Sequence, residues 1–219
     1  MASPSHPLRA PIIGALLEPL QLDGLEDRDD WAEREVRGSA VGAEAEHVSI
    51  TASRLVGARL AGARLHGLEL TDVHLVDCDL AGVVVEEGSL VRVSFTRCRL
   101  VGADLGGAHL TDVRFDDCQL DDLGLRMVAA TRFEVVGGSA CRVDLYRAKL
   151  AGSTWSGTDL TGADLSGATL TGARLHGSTI ADLTGAAALR GTVIAATQVI
   201  SVGLALIADS GVTVDDDID

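Results

Sequence analysis

The chain has 219 residues, a formal net charge of −14 and only 3% aromatic residues. That length fits one domain, and the acidity argues against direct nucleic-acid binding, which needs basic patches. No apolar run reaches the roughly 18 residues of a membrane span, and Met1–Pro7 lacks the basic start and apolar run of a secretory leader, so a cytoplasmic location is expected.

Residues 1–47 hold all four prolines, Pro4, Pro7, Pro11 and Pro19. Met1–Ala10 reads as a loose tail. Ile12–Leu17 is apolar but short, and Leu20, Leu22 and Leu25 lead to an acidic loop, Glu26–Asp30. Trp31–Arg37 follows, with two acids and two bases around Val36. The segment 1–47 is expected to be a tail and cap over the open end of a repeat, because an unpaired β end templates aggregation. Its acidic run serves solubility or binds a partner.

From Val48 to Asp182 a five-residue frame runs without insertion. Every fifth residue from Ile50 to Ile180 is Leu, Ile, Val, Phe or Trp at 25 of 27 positions, Ala130 and Ala140 excepted. The residue two before each is mostly small, as in Ala58, Cys78, Cys98, Ala103 and Cys118, and no charge falls on either set. A period of five fits neither an α-helix nor a simple strand. It fits a chain that turns a corner every five residues with two side chains inward per step. A second period of 20 appears in Val73–Leu80, Val93–Leu100 and Val113–Leu120. Four short sides per coil make a square, all-β solenoid of about seven coils. Glycines such as Gly57, Gly62 and Gly157 supply corners with unusual backbone angles. Around Asp121–Arg142, Phe133 and Leu123 take normally small positions opposite Ala130 and Ala140, an exchange of volume that keeps interior density.

Residues 183–219 leave the frame. Thr192–Ile194 reads as a last strand. Thr197 is placed to cap a helix over 198–209, which Gly211 ends. Val212–Val214 adds a short strand, and Asp215–Asp219 is an acidic tail. One helix face covers the last coil. Val199, Val202 and Leu206 form a candidate dimer surface.

Ala58-Arg-Leu60-Ala-Gly62, Ala103-Asp-Leu105-Gly-Gly107 and Ala163-Asp-Leu165-Ser-Gly167 resemble the A-[DN]-L-x-x motif of the pentapeptide-repeat family. The resemblance implies a right-handed quadrilateral β-helix. The best-understood members resemble B-DNA in shape and charge, bind DNA gyrase and protect it from fluoroquinolones; related proteins commonly dimerise through the C-terminal helix.

Candidate chemistry is sparse. Cys78, Cys98 and Cys118 stack in one interior column and read as small core residues; Cys141 falls outward as the one candidate reactive thiol. The six histidines form no stacked column in the repeat, so no metal site or nucleophilic triad is indicated. Paired carboxylates such as Asp116-Asp117 and Asp121-Asp122 lie on a convex tube, where general acid–base chemistry lacks its cleft. No catalytic residue, cofactor or metal is expected.

The charges are more informative. Residues 1–48 hold 10 acids and 4 bases, 49–182 hold 17 and 13, and 183–219 hold 5 and 1, so the excess acid sits mostly at the ends. Asp72, Arg92, Asp112 and Arg132 alternate at spacing 20, as do Asp77, Arg97 and Asp117; Asp79 precedes Arg99, and Asp122 precedes Arg142. Such columns suit register and solubility. A DNA mimic needs long acidic stripes, which alternation cancels. Two functions stay open. One is a rigid, non-catalytic scaffold with an unknown protein partner. The other is a gyrase-binding DNA mimic that docks through the acidic ends or through the Asp104, Asp144, Asp159 and Asp164 surface. The candidate partner-binding acidic surface as a whole is Asp104, Asp144, Asp159, Asp164, Asp116, Asp117, Asp121 and Asp122.

Overall fold

The computed structural model describes residues 7–212. Every fifth residue from Ala52 to Asp182 has φ between 47° and 76°. This left-handed conformation is free for glycine and costs other residues about 1–2 kcal/mol. The corners are therefore fixed by the frame rather than by glycine alone: Asp72, Arg92, Asp112 and Arg132 adopt it as Gly57 does. Between corners the chain is extended, so two side chains per step point inward. Leu160, Leu165, Leu170 and Leu175 are all buried, one on each of four sides.

The strands are β1 (Glu18–Leu22), β2 (Asp30–Ala32), β3 (Arg34–Gly38), β4 (Glu44–Glu46), β5 (Ser49–Val56), β6 (Arg64–His66), β7 (Glu69–Val76), β8 (Val84–Glu86), β9 (Ser89–Thr96), β10 (His109–Asp116), β11 (Ala129–Val136) and β12 (Thr154–Ser156). All pair in parallel, and the full-length ladders keep a spacing of 20, as in Leu70↔Leu90↔Leu110. The long strands β5, β7, β9, β10 and β11 each bend round one corner and cover two sides. The sheet order is β1-β3-β5-β7-β9-β10-β11-β12, with β2 on β5; β4-β6-β8 begins another side, continued by isolated bridges. The whole is a parallel β-solenoid of about seven turns.

An aromatic line fills the middle of the tube. Phe95 stacks on Phe115 at 4.6 Å, Phe115 meets Phe133 at 5.8 Å, and Phe133 meets Trp155 at 5.5 Å. The line runs through Phe133 rather than its in-frame neighbour Val135, with the small Ala130 in the same coil. Upstream of Phe95 the interior is mainly leucine and leaves a narrow apolar void of about 60 Å³, whose lining includes Leu25 and Trp31. Cys78, Cys98 and Cys118 are free and buried, each thiol 3.5 Å from a carbonyl oxygen (Leu55, Leu75, Phe95) of the preceding coil.

Both ends continue the pairing beyond the uninterrupted frame. Upstream, β3 pairs β5 with a spacing of 19 and β1 pairs β3 with a spacing of 16. Downstream, Val193 bridges Arg174, again 19 apart. The tail expectation for Met1–Ala10 is corrected over its described part: Arg9 donates its N–H to Asp112 and Ile12 donates to Asp72, both at 2.9 Å. Pro7–Leu17 thus lies along one corner of the rod. Residues 1–6 and 213–219, with the end of the short strand expected at 212–214 and the acidic tail, lie outside the described residues.

The helix α1 spans Val199–Asp209 after a 3-10 turn at Ala196–Gln198. Thr197 makes no cap. Gln198 instead ties the 3-10 turn to the last coil: its Oε1 accepts from the Ala195 N–H at 2.7 Å, and its Nε2 donates to the carbonyls of Leu175 and Ser178 at 2.6 and 2.7 Å. A buried amide can satisfy three backbone groups where a hydroxyl cannot. Gly211, at φ 72°, follows the helix end.

Candidate functional site

The outer surface is organised by the corners. Arg92 pairs with Asp72 through two bonds of 2.6 Å, Arg97 with Asp77 at 2.8 and 2.9 Å, and Arg142 with Asp122 through two bonds of 2.7 Å. Arg132 grips Asp112 in the same bidentate way, and Arg99 reaches Asp79 at 3.2 Å. In each case the arginine reaches back one coil. The guanidinium beside each of Asp72, Asp77, Asp112 and Asp122 holds its carboxyl below the usual range. Sequence reading expected Asp72 and Asp112 outside. They are buried, Asp112 to 2% exposure, because the N-terminal segment lies over them. Contacts between residues 9 and 112 leave no periodic trace in a sequence.

The eight candidate acidic residues spread over three sides. Asp104, Asp144 and Asp164 share one column, bridged through Gly124, on the side that also carries Glu44, Glu46 and Glu86. Each folds one oxygen back onto its own turn: Asp104 accepts from the Gly106 N–H at 2.8 Å, Asp144 from Tyr146 at 2.9 Å, Asp164 from Ser166 at 2.8 Å. Burial opposes ionisation of Asp164, but bonds from Ser166 and Thr184 outweigh it and lower its pKa. Asp121 and Asp159 lie on the adjacent side; Asp159 is held low chiefly by the Thr161 hydroxyl. Asp122 is taken by Arg142. Asp116 shares Arg114 with Glu134, on a third side, and Asp117 sits on a corner beside Gly137.

One group on the acidic column escaped sequence reading. Tyr146, the only tyrosine, lies between two guanidiniums, Arg126 at 4.8 Å and Arg147 at 5.1 Å, while Arg126 also bonds Asp144 at 3.0 Å. Cation–π contact of this kind orders long side chains at a surface. The signal available was a lone tyrosine in a chain almost without aromatics.

Other candidates carry less chemistry. Cys141 does lie outward, but partial burial and the charges of Asp159 and Asp121 push its thiol up to about 11, so it is protonated at neutral pH. His66 lies 3.6 Å from Glu86 and 3.7 Å from Glu87, beside a groove of about 230 Å³. Among the described residues no three His, Cys, Asp or Glu side chains converge to hold a metal, and no helix is long and apolar enough to cross a membrane.

On α1 the inward face holds Val202 and the buried Ala205, in line with Gln198 of the preceding turn. Val202 packs on the core, and Asp209 accepts from the Gly185 and Ala187 N–H groups. Val202, half-buried, is the least exposed of the three candidate dimer residues. Val199 and Leu206 remain exposed, and Ile200 (77%) and Leu204 (63%) stand further out.

The fold defines a parallel β-solenoid repeat protein. A family model for a pentapeptide repeat region matches residues 48–125, and one for pentapeptide repeats in 8 copies matches residues 142–179. The chain belongs to the pentapeptide-repeat family. Comparison with curated proteins gives no match. Among solved structures it is similar to HetL, a pentapeptide repeat protein involved in heterocyst differentiation regulation from the cyanobacterium Nostoc sp. strain PCC 7120, with 21% identity over 77% of this chain and 84% of that one and a TM-score of 0.42. It is also similar to trypsin-treated QnrB1, a plasmid-mediated fluoroquinolone resistance protein, with 18% identity over 92% and 100% and a TM-score of 0.45.

Proposed function

We propose that this chain is a non-catalytic, cytoplasmic interaction scaffold whose side bearing Asp104, Asp144 and Asp164 binds a protein partner. One observation carries the reading: acids outside the arginine-paired corners fall at three of four successive places in one column on that side, beside Arg126, Tyr146 and Arg147. Tyrosine and arginine are the residue types that anchor interfaces, and a rigid rod loses little freedom when it binds. The test is capture from cells of the source organism with the unaltered chain and with a Tyr146→Ala, Asp144→Lys variant. The variant should lose the partner and keep its melting temperature. Equal capture by both would place the interface elsewhere.

A second reading uses the same column as a B-DNA-like decoy for DNA gyrase. Repetition of Asp104, Asp144 and Asp164 along one side favours it; the Asp–Arg pairs on the corners oppose it, since they cancel the field a DNA groove attracts. Inhibition of gyrase supercoiling by the unaltered chain, weakening with salt, decides for this reading over the first.

The exposed apolar residues of α1 support a homodimer through that helix. Ile200→Glu with Leu204→Glu should convert a dimer to a monomer in light scattering; a monomeric unaltered chain would end this reading.

A further inference from the structure

The corner that carries Asp72, Arg92, Asp112 and Arg132 is covered by a segment that no strand pairing holds. Ile12 donates its N–H to Asp72 and Arg9 donates to Asp112. The two aspartates are 40 residues apart, or two coils, about 9.6 Å at the spacing of neighbouring strands. Three residues of an extended, polyproline-type chain rise about 9.3 Å. The rod thus presents a carboxylate to every third N–H of an extended segment, in step with its own coils. Pro7 and Pro11 favour that conformation and leave the N–H groups of Arg9 and Ile12 free to donate.

Each carboxylate is built for the purpose. Arg92 and Arg132 hold the two aspartates bidentately from one side, which keeps them ionised and aims one oxygen at the segment. The side chains of the segment are lightly used. Leu8, Pro11, Ile13 and Leu17 are half-buried, while Ile12 is 71% and Leu16 92% exposed. The main chain is the part recognised, and few contacts have to break for the segment to leave.

We propose that this corner is a peptide-binding groove whose resident ligand is the chain's own Pro7–Leu17, and that it accepts in trans an extended, proline-containing apolar segment of another chain. The ligand class is set by main-chain N–H groups three residues apart, so recognition tolerates varied side chains. The resident segment lowers the apparent affinity for an incoming one in proportion to the time it occupies the groove.

The probe is a labelled peptide with the sequence of residues 7–17, followed by anisotropy on the full-length chain. Arg9→Pro with Ile12→Pro removes both donors from the resident segment and keeps its extended backbone. This double variant should bind the peptide at least about tenfold more tightly than the unaltered chain. A control peptide with proline at the same two places should bind neither protein. Equal affinity of the two proteins for the peptide, or equal binding of the control, overturns the proposal. Circular dichroism reports whether the double variant is folded. Hydrogen exchange on the unaltered chain gives an independent reading: excess peptide should speed exchange at the Arg9 and Ile12 amides, and unchanged protection overturns the proposal as well.

Discussion

At the scale of single residues, the five-residue frame assigns one role per position, and substitutions separate those roles. Leu105 is buried, so Leu105→Asp places an unpaired charge in the tube and should cost several kcal/mol; soluble, folded protein by circular dichroism would contradict its inward position. Gly106, one residue on, has no positive φ, and Gly106→Asp should be far milder. Glycines of positive φ are not equal. Gly57 and Gly138 share the left-handed conformation, but a Cβ at Gly57 meets nothing within 4 Å, whereas one at Gly138 falls 2.1 Å from the Cys118 carbonyl oxygen. Gly57→Ala should cost about 1–2 kcal/mol from the backbone alone. Gly138→Ala must also move a neighbouring strand and should cost more, as the difference in urea midpoints will show.

At the scale of elements, the ends of the solenoid depend on single polar side chains. Gln198 closes the carbonyls of Leu175 and Ser178, and Gln198→Ala should leave the Ser178 carbonyl unpaired in a buried site, at about 1–3 kcal/mol unless water enters, while Leu175 keeps the Ser178 N–H at 3.3 Å. Hydrogen exchange in 175–198 should rise well before global unfolding; uniform exchange would show that α1 is not the closing element. The repeat was legible because its rule is local: apolar and small residues at fixed places, with every charge on the remaining three. The ends were not. Thr197 looked like the cap because capping propensity is local, whereas Gln198 is chosen by carbonyls 20 and 23 residues away. The docked segment was missed for the same reason, since Arg9 and Ile12 meet residues 103 and 60 positions on. In sequence the acidic candidates read as one surface, whereas the structure spreads them over three sides: Asp104, Asp144 and Asp164 share one, and Asp122, on another, is spent on Arg142.

At the scale of the whole molecule, charge is arranged rather than merely summed. Arg92→Glu, Arg97→Glu and Arg99→Glu together lower the net charge from −14 by two each and turn alternating columns into acidic ones. Arg97 and Arg99 are exposed, and each reversal there should cost tenths of a kcal/mol, partly restored by salt. Arg92 faces the buried Asp72, so its reversal should dominate the loss and free the N-terminal segment. A melting series from low to high salt checks both, and salt-independent melting would deny the columns any electrostatic role. The pairs also have a direction. In Asp72–Arg92, Asp77–Arg97, Asp79–Arg99, Asp112–Arg132 and Asp122–Arg142 the acid is always one coil nearer the N-terminus; Arg114–Glu134 and Arg126–Asp144 run the other way. The paired charges therefore add up to a net dipole along the rod, with the acids displaced towards the N-terminus. Exchanging Asp77 with Arg97 keeps the total charge and turns one of these small dipoles round. A partner that senses only total charge will associate at the same rate with either form, whereas one that is oriented as it approaches will associate more slowly with the exchanged form at low salt. The ladder thus encodes which end of the rod a visitor meets first.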